Sequence, residues 1–229
     1  MQSAKALRRR ARAAHIVASC VCLALLLLAA RPAAQTSDAV GSITRMEGTA
    51  RLVRNNQTRP VTLAMVVEIN DKLITARGAH LTVTFGDNSS LVMGASTSIV
   101  INAGVLGAEN SGISKVGLLG GRLRSIVNSG LRNVGYGFEV HTPNAIVGVR
   151  GTVFETAYIT GTPCPGFPDC LRYTDVGVYR GRVEVSNPLN PKAAPVIAGE
   201  GFETTVPCEQ PPATPSPLGM GDLTAPAYR

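Results

Sequence analysis

Residues 79–94, "AHLTVTFGDNSSLVMG", restrict the fold more than any other stretch of the chain. Leu81, Val83 and Phe85 fall on one face of an extended segment, and His80, Thr82 and Thr84 fall on the other. That period of two is the signature of a strand with one side buried. "GDNS" then supplies a turn, and "SLVMG" resumes extended structure. The pattern recurs in "TARLVR", "SIVIN", "GRLRSIV", "YGFEVHT", "AIVGVRGTVFETAYI", "TDVGVYRGRVEV" and "APVIAGEGFETTV", with Gly, Asn and Asp between the runs. No window between Val40 and Val206 holds a 3.6-residue period, so the chain predicts an all-β domain of many short strands. Its frequent turn glycines suit a β-solenoid or roll, and a β-sandwich is the alternative.

A formal charge of +7 would suggest an anionic partner if it belonged to the folded domain. Lys5, Arg8, Arg9, Arg10, Arg12 and Arg31, six of the 22 basic residues, lie in the first 31 positions. Those positions hold no acid, so 16 bases face 15 acids over the rest of the chain, a balance of +1. There is no Trp, only five Tyr and five Phe, and no basic cluster with interleaved aromatics, so nucleic acid is not expected as a partner. Arg122 and Arg124 share one face of a predicted strand, a pattern for which a solvated sheet face is the plainest reading.

The basic stretch through Arg12, the apolar run from Ile16 to Ala30 and the following "ARPAAQ" read as a signal peptide over residues 1–35. The run falls short of the ~20 residues of a bilayer span, so no stable membrane span is expected after cleavage, and retention as an anchor is the alternative. Export would leave Cys164, Cys170 and Cys208 in an oxidising compartment. "CPGFPDC" closes a short Pro/Gly loop, and Cys164 with Cys170 is the expected disulfide; a pair with Cys208 is the alternative. No paired C-x-x-C spacing suggests zinc, and no cofactor is expected. Residues 40–206 then form one domain, long enough to bury a core. Asn102 to Lys115 reads as a long loop or flap, and residues 207–229, with "EQPPATPSP", as a Pro-rich disordered tail.

The segment "GFEVHTPNAIVGVRGTVFETAY" followed by "TDVGVYRGRVEVSN" resembles the FecR domain family. The resemblance rests on Val140, Thr142, Pro143, Ala145, Val149, Arg150, Gly151, Thr152 and Phe154, then Val178, Gly181, Val183 and Val185. Upstream, Asp71 in "INDKLIT", Gly78 before the "AHLTVTF" strand and Asp87 in "FGDNSS" extend it, with Asn88 standing where the family usually has Gly. It implies an envelope protein; well-known members relay a signal from an outer-membrane transporter, often for iron, to a sigma factor. Only fifteen residues precede the apolar run, and only the Pro-rich tail follows the domain, so the sigma-binding and transporter-contacting regions of those members are not expected here.

Chemistry is not expected from the motif itself. Arg150 between Gly148 and Gly151, beside Thr142-Pro143, arrives without a nucleophile and base, and a role in strand-edge geometry is the simpler reading. The chain has no G-x-S-x-G and no H-E-x-x-H, and beyond the signal only His80 and His141 are available. The expectation is a non-catalytic, periplasmic or secreted binding module with a protein partner in the bacterial envelope. A structural or assembly role is the alternative, and an enzyme is the least expected.

Overall fold

The computed structural model describes residues 39–103, 113–128, 137–149 and 151–219. The expected signal peptide, Arg150, most of the 102–115 loop and the last ten residues of the chain lie outside the described residues.

In chain order the strands are β1 (Ala39–Glu47), β2 (Ala50–Arg54), β3 (Gln57–Pro60), β4 (Val66–Glu68), β5 (Lys72–Thr75) and β6 (His80–Phe85). Then come β7 (Ser90–Met93), β8 (Ser98–Ala103), β9 (Ile113–Ile126), β10 (Gly137–His141), β11 (Ile146–Val149) and β12 (Val153–Thr160). The remainder are β13 (Arg172–Arg180), β14 (Arg182–Ser186), β15 (Val196–Gly199), β16 (Phe202–Pro207) and β17 (Ser216–Pro217). The domain is all-β, as its alternating sequence requires.

These strands form two layers. The first runs β4-β1-β6-β7-β9-β12-β13-β16-β17. The second runs β3-β2-β5-β8-β9-β10-β11-β14-β15. Most neighbours are antiparallel, and β9 with β10 is the parallel pair. The chain visits the layers by turns, which gives the roll-like winding expected from the sequence, while the two facing sheets enclose a sandwich-like core. Leu81, Leu91, Leu123, Phe154 and Val178 from the first layer meet Leu73, Ile99, Leu118, Val140 and Val185 from the second in one cluster. Phe154 lies at its centre, fully buried and edge-to-face with Phe138 at 6.4 Å.

Strand β9 belongs to both layers. Residues through Gly120 pair with β8 and β10, and residues from Gly121 pair with β7 and β12. The change of layer falls at Gly121, whose φ is 86°. A Cβ there would lie 2.7 Å from Thr97 Cα and 2.8 Å from Ser96 O. Neither backbone atom can yield, so glycine is required. Gly120, by contrast, faces open space.

Gly121→Ala is therefore expected to lower unfolding free energy by about 2 kcal/mol or more, since strain and collision add. Gly120→Ala should stay within about 0.5 kcal/mol of the wild type. Urea unfolding of both variants measures the difference, and equal effects would contradict the placement of the crossover.

Candidate functional site

The residues carrying the family resemblance act as staples and turn formers, and they are spread over the molecule. Thr142, Pro143, Asn144 and Ala145 make the β10–β11 turn. The Ala145 N–H donates to Thr142 Oγ1 at 2.8 Å, and the Thr142 and Thr174 hydroxyls are 2.7 Å apart. Thr174 Oγ1 donates to Asn144 Oδ1 at 2.6 Å, and Asn144 Nδ2 donates to the Val206 carbonyl at 2.7 Å. The Thr142, Asn144 and Thr174 side chains are buried, so the network ties a turn of the second layer to β13 and β16 of the first with its polar groups satisfied. Gly151 (φ 64°) and Gly181 (φ 88°) approach each other across Thr152, whose hydroxyl donates to the Arg182 carbonyl at 3.1 Å.

Asp71, fully buried, accepts a two-pronged bond from Arg54: Nε to Oδ1 at 2.7 Å and Nη2 to Oδ2 at 2.6 Å. It also caps the Glu68 N–H at 2.8 Å. The Asp71 hydrogen bond, reinforced by the charges of Asp71 and Glu68, holds the Arg54 guanidinium more firmly protonated than usual. Gly78 turns the chain at φ 72°, and Asp87 accepts both the backbone N–H and the hydroxyl of Ser89. Asn88 takes the left-handed backbone at φ 66° that its short polar side chain tolerates.

Two concave surfaces stand out among the described residues. On the outer face of the first layer, a cavity of about 310 Å³ is lined by Arg122, Glu155, Asp175, Tyr179, Glu203 and Leu218, among others. Glu155 is buried and bonded to Arg122 Nη1 at 2.5 Å, with Tyr179 Oη at 3.4 Å. The Arg124 guanidinium lies 4.1 Å above the Tyr179 ring, and Asp175 accepts from Thr205 Oγ1 at 2.6 Å. The two arginines foreseen on one strand face thus lie in a charge-compensated surface.

On the outer face of the second layer, a groove of about 730 Å³ spans β10, β11, β14 and β15. Pairing registers place Glu139, Gly148, Glu184 and Ile197 in one row across it. Glu139 is held by His141 Nε2 at 2.6 Å and Lys115 Nζ at 3.8 Å. Ile197 is 62% exposed at the end of the row. Gly148 lies in the middle of β11, outside the positive-φ region, with nothing among the described residues within 4 Å of where a Cβ would be. Among the described residues no group of three or more His, Cys, Asp or Glu could hold a metal ion.

The disulfide differs from the expected pairing. Cys170 is bonded to Cys208, with Cα atoms 5.8 Å apart, and Cys164 is a free buried thiol. The reason is strand registry: Tyr173 pairs with Pro207 at the start of β13, which brings the following Cys208 against the chain just before it. Residues 208–218, expected to be part of a disordered tail, form a strap along β16 instead. The Ala213 N–H donates to Thr205 O, β17 pairs with Phe202 and Glu203, and Asn187 Nδ2 donates to the carbonyls of Cys208 and Gln210.

Sequence similarity places residues 71–184 in the family described as FecR protein. No curated protein matches the chain. Two crystal structures of a candidate anti-sigma factor from Parabacteroides distasonis share the fold, with TM-scores of 0.52 and 0.51 at 19% identity. In each case the similarity covers 67% of this chain and 62% of the other. The chain thus spans less than two thirds of the length of those relatives.

Asn144→Ala is expected to cost about 2 kcal/mol, because it removes the buried hydrogen bonds to Thr174 and Val206 that tie the β10–β11 turn to the first layer; chemical denaturation measures it. Burial, followed by the Asp175 charge, raises the Cys164 thiol above its ordinary value of 9.0. The proton is held more tightly in the folded state, so this contribution is complete below the ordinary value and is lost as pH rises through the folded one. Wild type should therefore lose more stability than Cys164→Ala between neutral pH and pH ~10, a difference read from melting curves.

Proposed function

Since this chain belongs to the FecR family through the domain it carries at residues 71–184, we propose that it is a non-catalytic binding and sensing module of the bacterial envelope, exported and used in cell-surface signalling. FecR proteins are regulatory, which supports a role in signalling over one in catalysis. Among the described residues no helix is long and apolar enough to cross a membrane. Release into the periplasm or beyond belongs to the same proposal and rests on the N-terminal sequence.

The observation that carries the binding reading is Gly148. A glycine inside a strand costs roughly 0.5–1 kcal/mol relative to alanine, and at this position neither backbone angle nor crowding calls for it. A strand glycine with open space beside it leaves the backbone accessible to another molecule. Here the approach is from outside, into a trough walled by Glu139 and Glu184 and ended by the exposed Ile197. Among the described residues β15 pairs on one side only, with β14. An extended segment of a protein partner could add to that edge and place a side chain in the trough. Self-pairing at the same edge would instead make the chain an assembly component of the envelope.

A photo-crosslinking residue at Ile197, in the native host, tests this. The binding reading expects an adduct with a distinct envelope protein that Gly148→Phe abolishes while leaving the unfolding midpoint unchanged or raised. An adduct with twice the mass of the chain supports assembly. Failure to form any groove-dependent adduct overturns the proposal.

A further inference from the structure

The three cysteines beyond the N-terminal segment lie together although they are distant in sequence. Cys164 and Cys170 form one buried cluster with Tyr173, against which Ile159 and Cys208 pack. The Cys164 N–H donates to the Cys170 carbonyl at 2.8 Å, and the Cys170 N–H donates to the Phe167 carbonyl at 3.0 Å, closing the loop between them. This backbone bond and the shared cluster make Cys164 and Cys170 spatial neighbours, and a disulfide needs Cα atoms ~4.4–6.8 Å apart. Cys170 therefore has Cys208 as its bonded partner and the free Cys164 thiol in the same buried cluster.

The bonded partner is the first residue of the strap. Cys208 has a φ of 28°, in the left-handed region that β-carbon-bearing residues avoid. From it the strap crosses Asn187, returns along β16 and ends with Leu218 over Gly177, where Leu218 Cδ1 would lie 2.8 Å from an added Cβ. Leu218 also lines the charged cavity of the first layer. Strap and bridge together cover the outer edge of β16.

We propose that Cys164, Cys170 and Cys208 form a thiol–disulfide exchange switch that holds or releases this strap. Cys164 loses its proton and its Sγ attacks Cys170 Sγ. The Cys170–Cys208 bond breaks as the Cys164–Cys170 bond forms, and Cys208 leaves as a thiolate that takes up a proton. Two electrons stay in one disulfide throughout, so no oxidant or reductant is consumed. Attack on Cys170 is the productive direction, because attack on Cys208 would keep the strap tied. With the bridge moved, the strap is held by Asn187, by the bonds of Ala213 to Thr204 and Thr205, by the Leu218 N–H on the Gly201 carbonyl, by the β16–β17 pairing and by the exposed Arg172–Glu209 ion pair. Its departure exposes the β16 edge and opens the charged cavity. Burial of Cys164 makes the switch slow until a thiol catalyst or local opening admits attack.

The test uses the full chain with Cys20→Ala and Cys22→Ala, so that the sulfurs of interest are the three named. The oxidised protein is incubated with a trace of reduced glutathione, acid-quenched and alkylated, and its disulfides are mapped by mass spectrometry. The proposal expects the Cys164–Cys170 bridge to grow in at the expense of Cys170–Cys208 without net thiol loss. Hydrogen exchange of residues 209–218 should be about tenfold faster or more in Cys208→Ser, which adopts the Cys164–Cys170 bridge, than in Cys164→Ser, which keeps the strap tied. A wild-type protein that retains only Cys170–Cys208 overturns the switch. So does a Cys208→Ser variant with a native melting transition and wild-type protection of the strap. These readouts involve no partner, so they stand or fall separately from the groove.

Discussion

The passage of β9 from one layer to the other at Gly121 is the constraint on which the architecture depends. The first half of β9 supplies the lattice for β8 and β10 and the second half for β7 and β12, so each layer acquires its centre from the same strand. Without that shared strand there would be two smaller sheets, each with more open edges and less certain register. The required bend brings the backbone of residues 96–97 into contact with β9, and only a residue without a side chain tolerates this. Thr97 then uses the closeness: its hydroxyl accepts from the Arg122 N–H at 3.0 Å. A local steric necessity and a long-range hydrogen bond thus fix the same junction.

Most of the layer structure was legible in the sequence, because a sheet buried on one side writes its geometry into alternate residues. β6 is the clearest case: Leu81, Val83 and Phe85 are all in the core. β9 was harder. "GLLGGRLRSI" carries a break in alternation at its paired glycines, and nothing local says that the two halves serve different sheets. The partners of Asp71 and Asn144 were equally hidden. Asp71 reads as a turn residue, which it is, but its salt bridge to Arg54 depends on β2 and β5 pairing. Asn144 looks like a spacer in "TPNA", and only the packing of the two layers brings Thr174 and Val206 to it. The groove at Gly148 was hidden because sequence records a glycine without recording whether the space beside it is full.

That last distinction separates residues kept for the fold from residues available for function. Gly121 and Gly148 are the same residue in strand context, yet among the described residues one is enclosed by backbone and the other has open space beside it. The family motif falls mainly on the first side. Thr142, Gly151, Thr152 and Gly181 use up their hydrogen-bonding capacity or their conformational freedom within the chain. A motif of this sort identifies a scaffold, and function must then be sought on surfaces the motif leaves open.

The cysteines show why spacing along the chain is a poor guide to pairing in a β-protein. A six-residue separation favours Cys164 with Cys170 when loop closure is the main cost, since that cost rises with loop length. Cys208 is separated from Cys170 by 38 residues, but β13 and β16 are zipped together in register and have already closed that loop. What remains is local geometry: one partner is offered by a short turn, the other by a strand end. In chain-entropy terms the longer bridge also restrains the unfolded state more, by about 1.5 kcal/mol. Moving it to the shorter loop would therefore loosen the strap and reduce the stability of the whole domain. Such a coupling would let a local sulfur exchange act on the cavity along β13 and β16 without any change in the core.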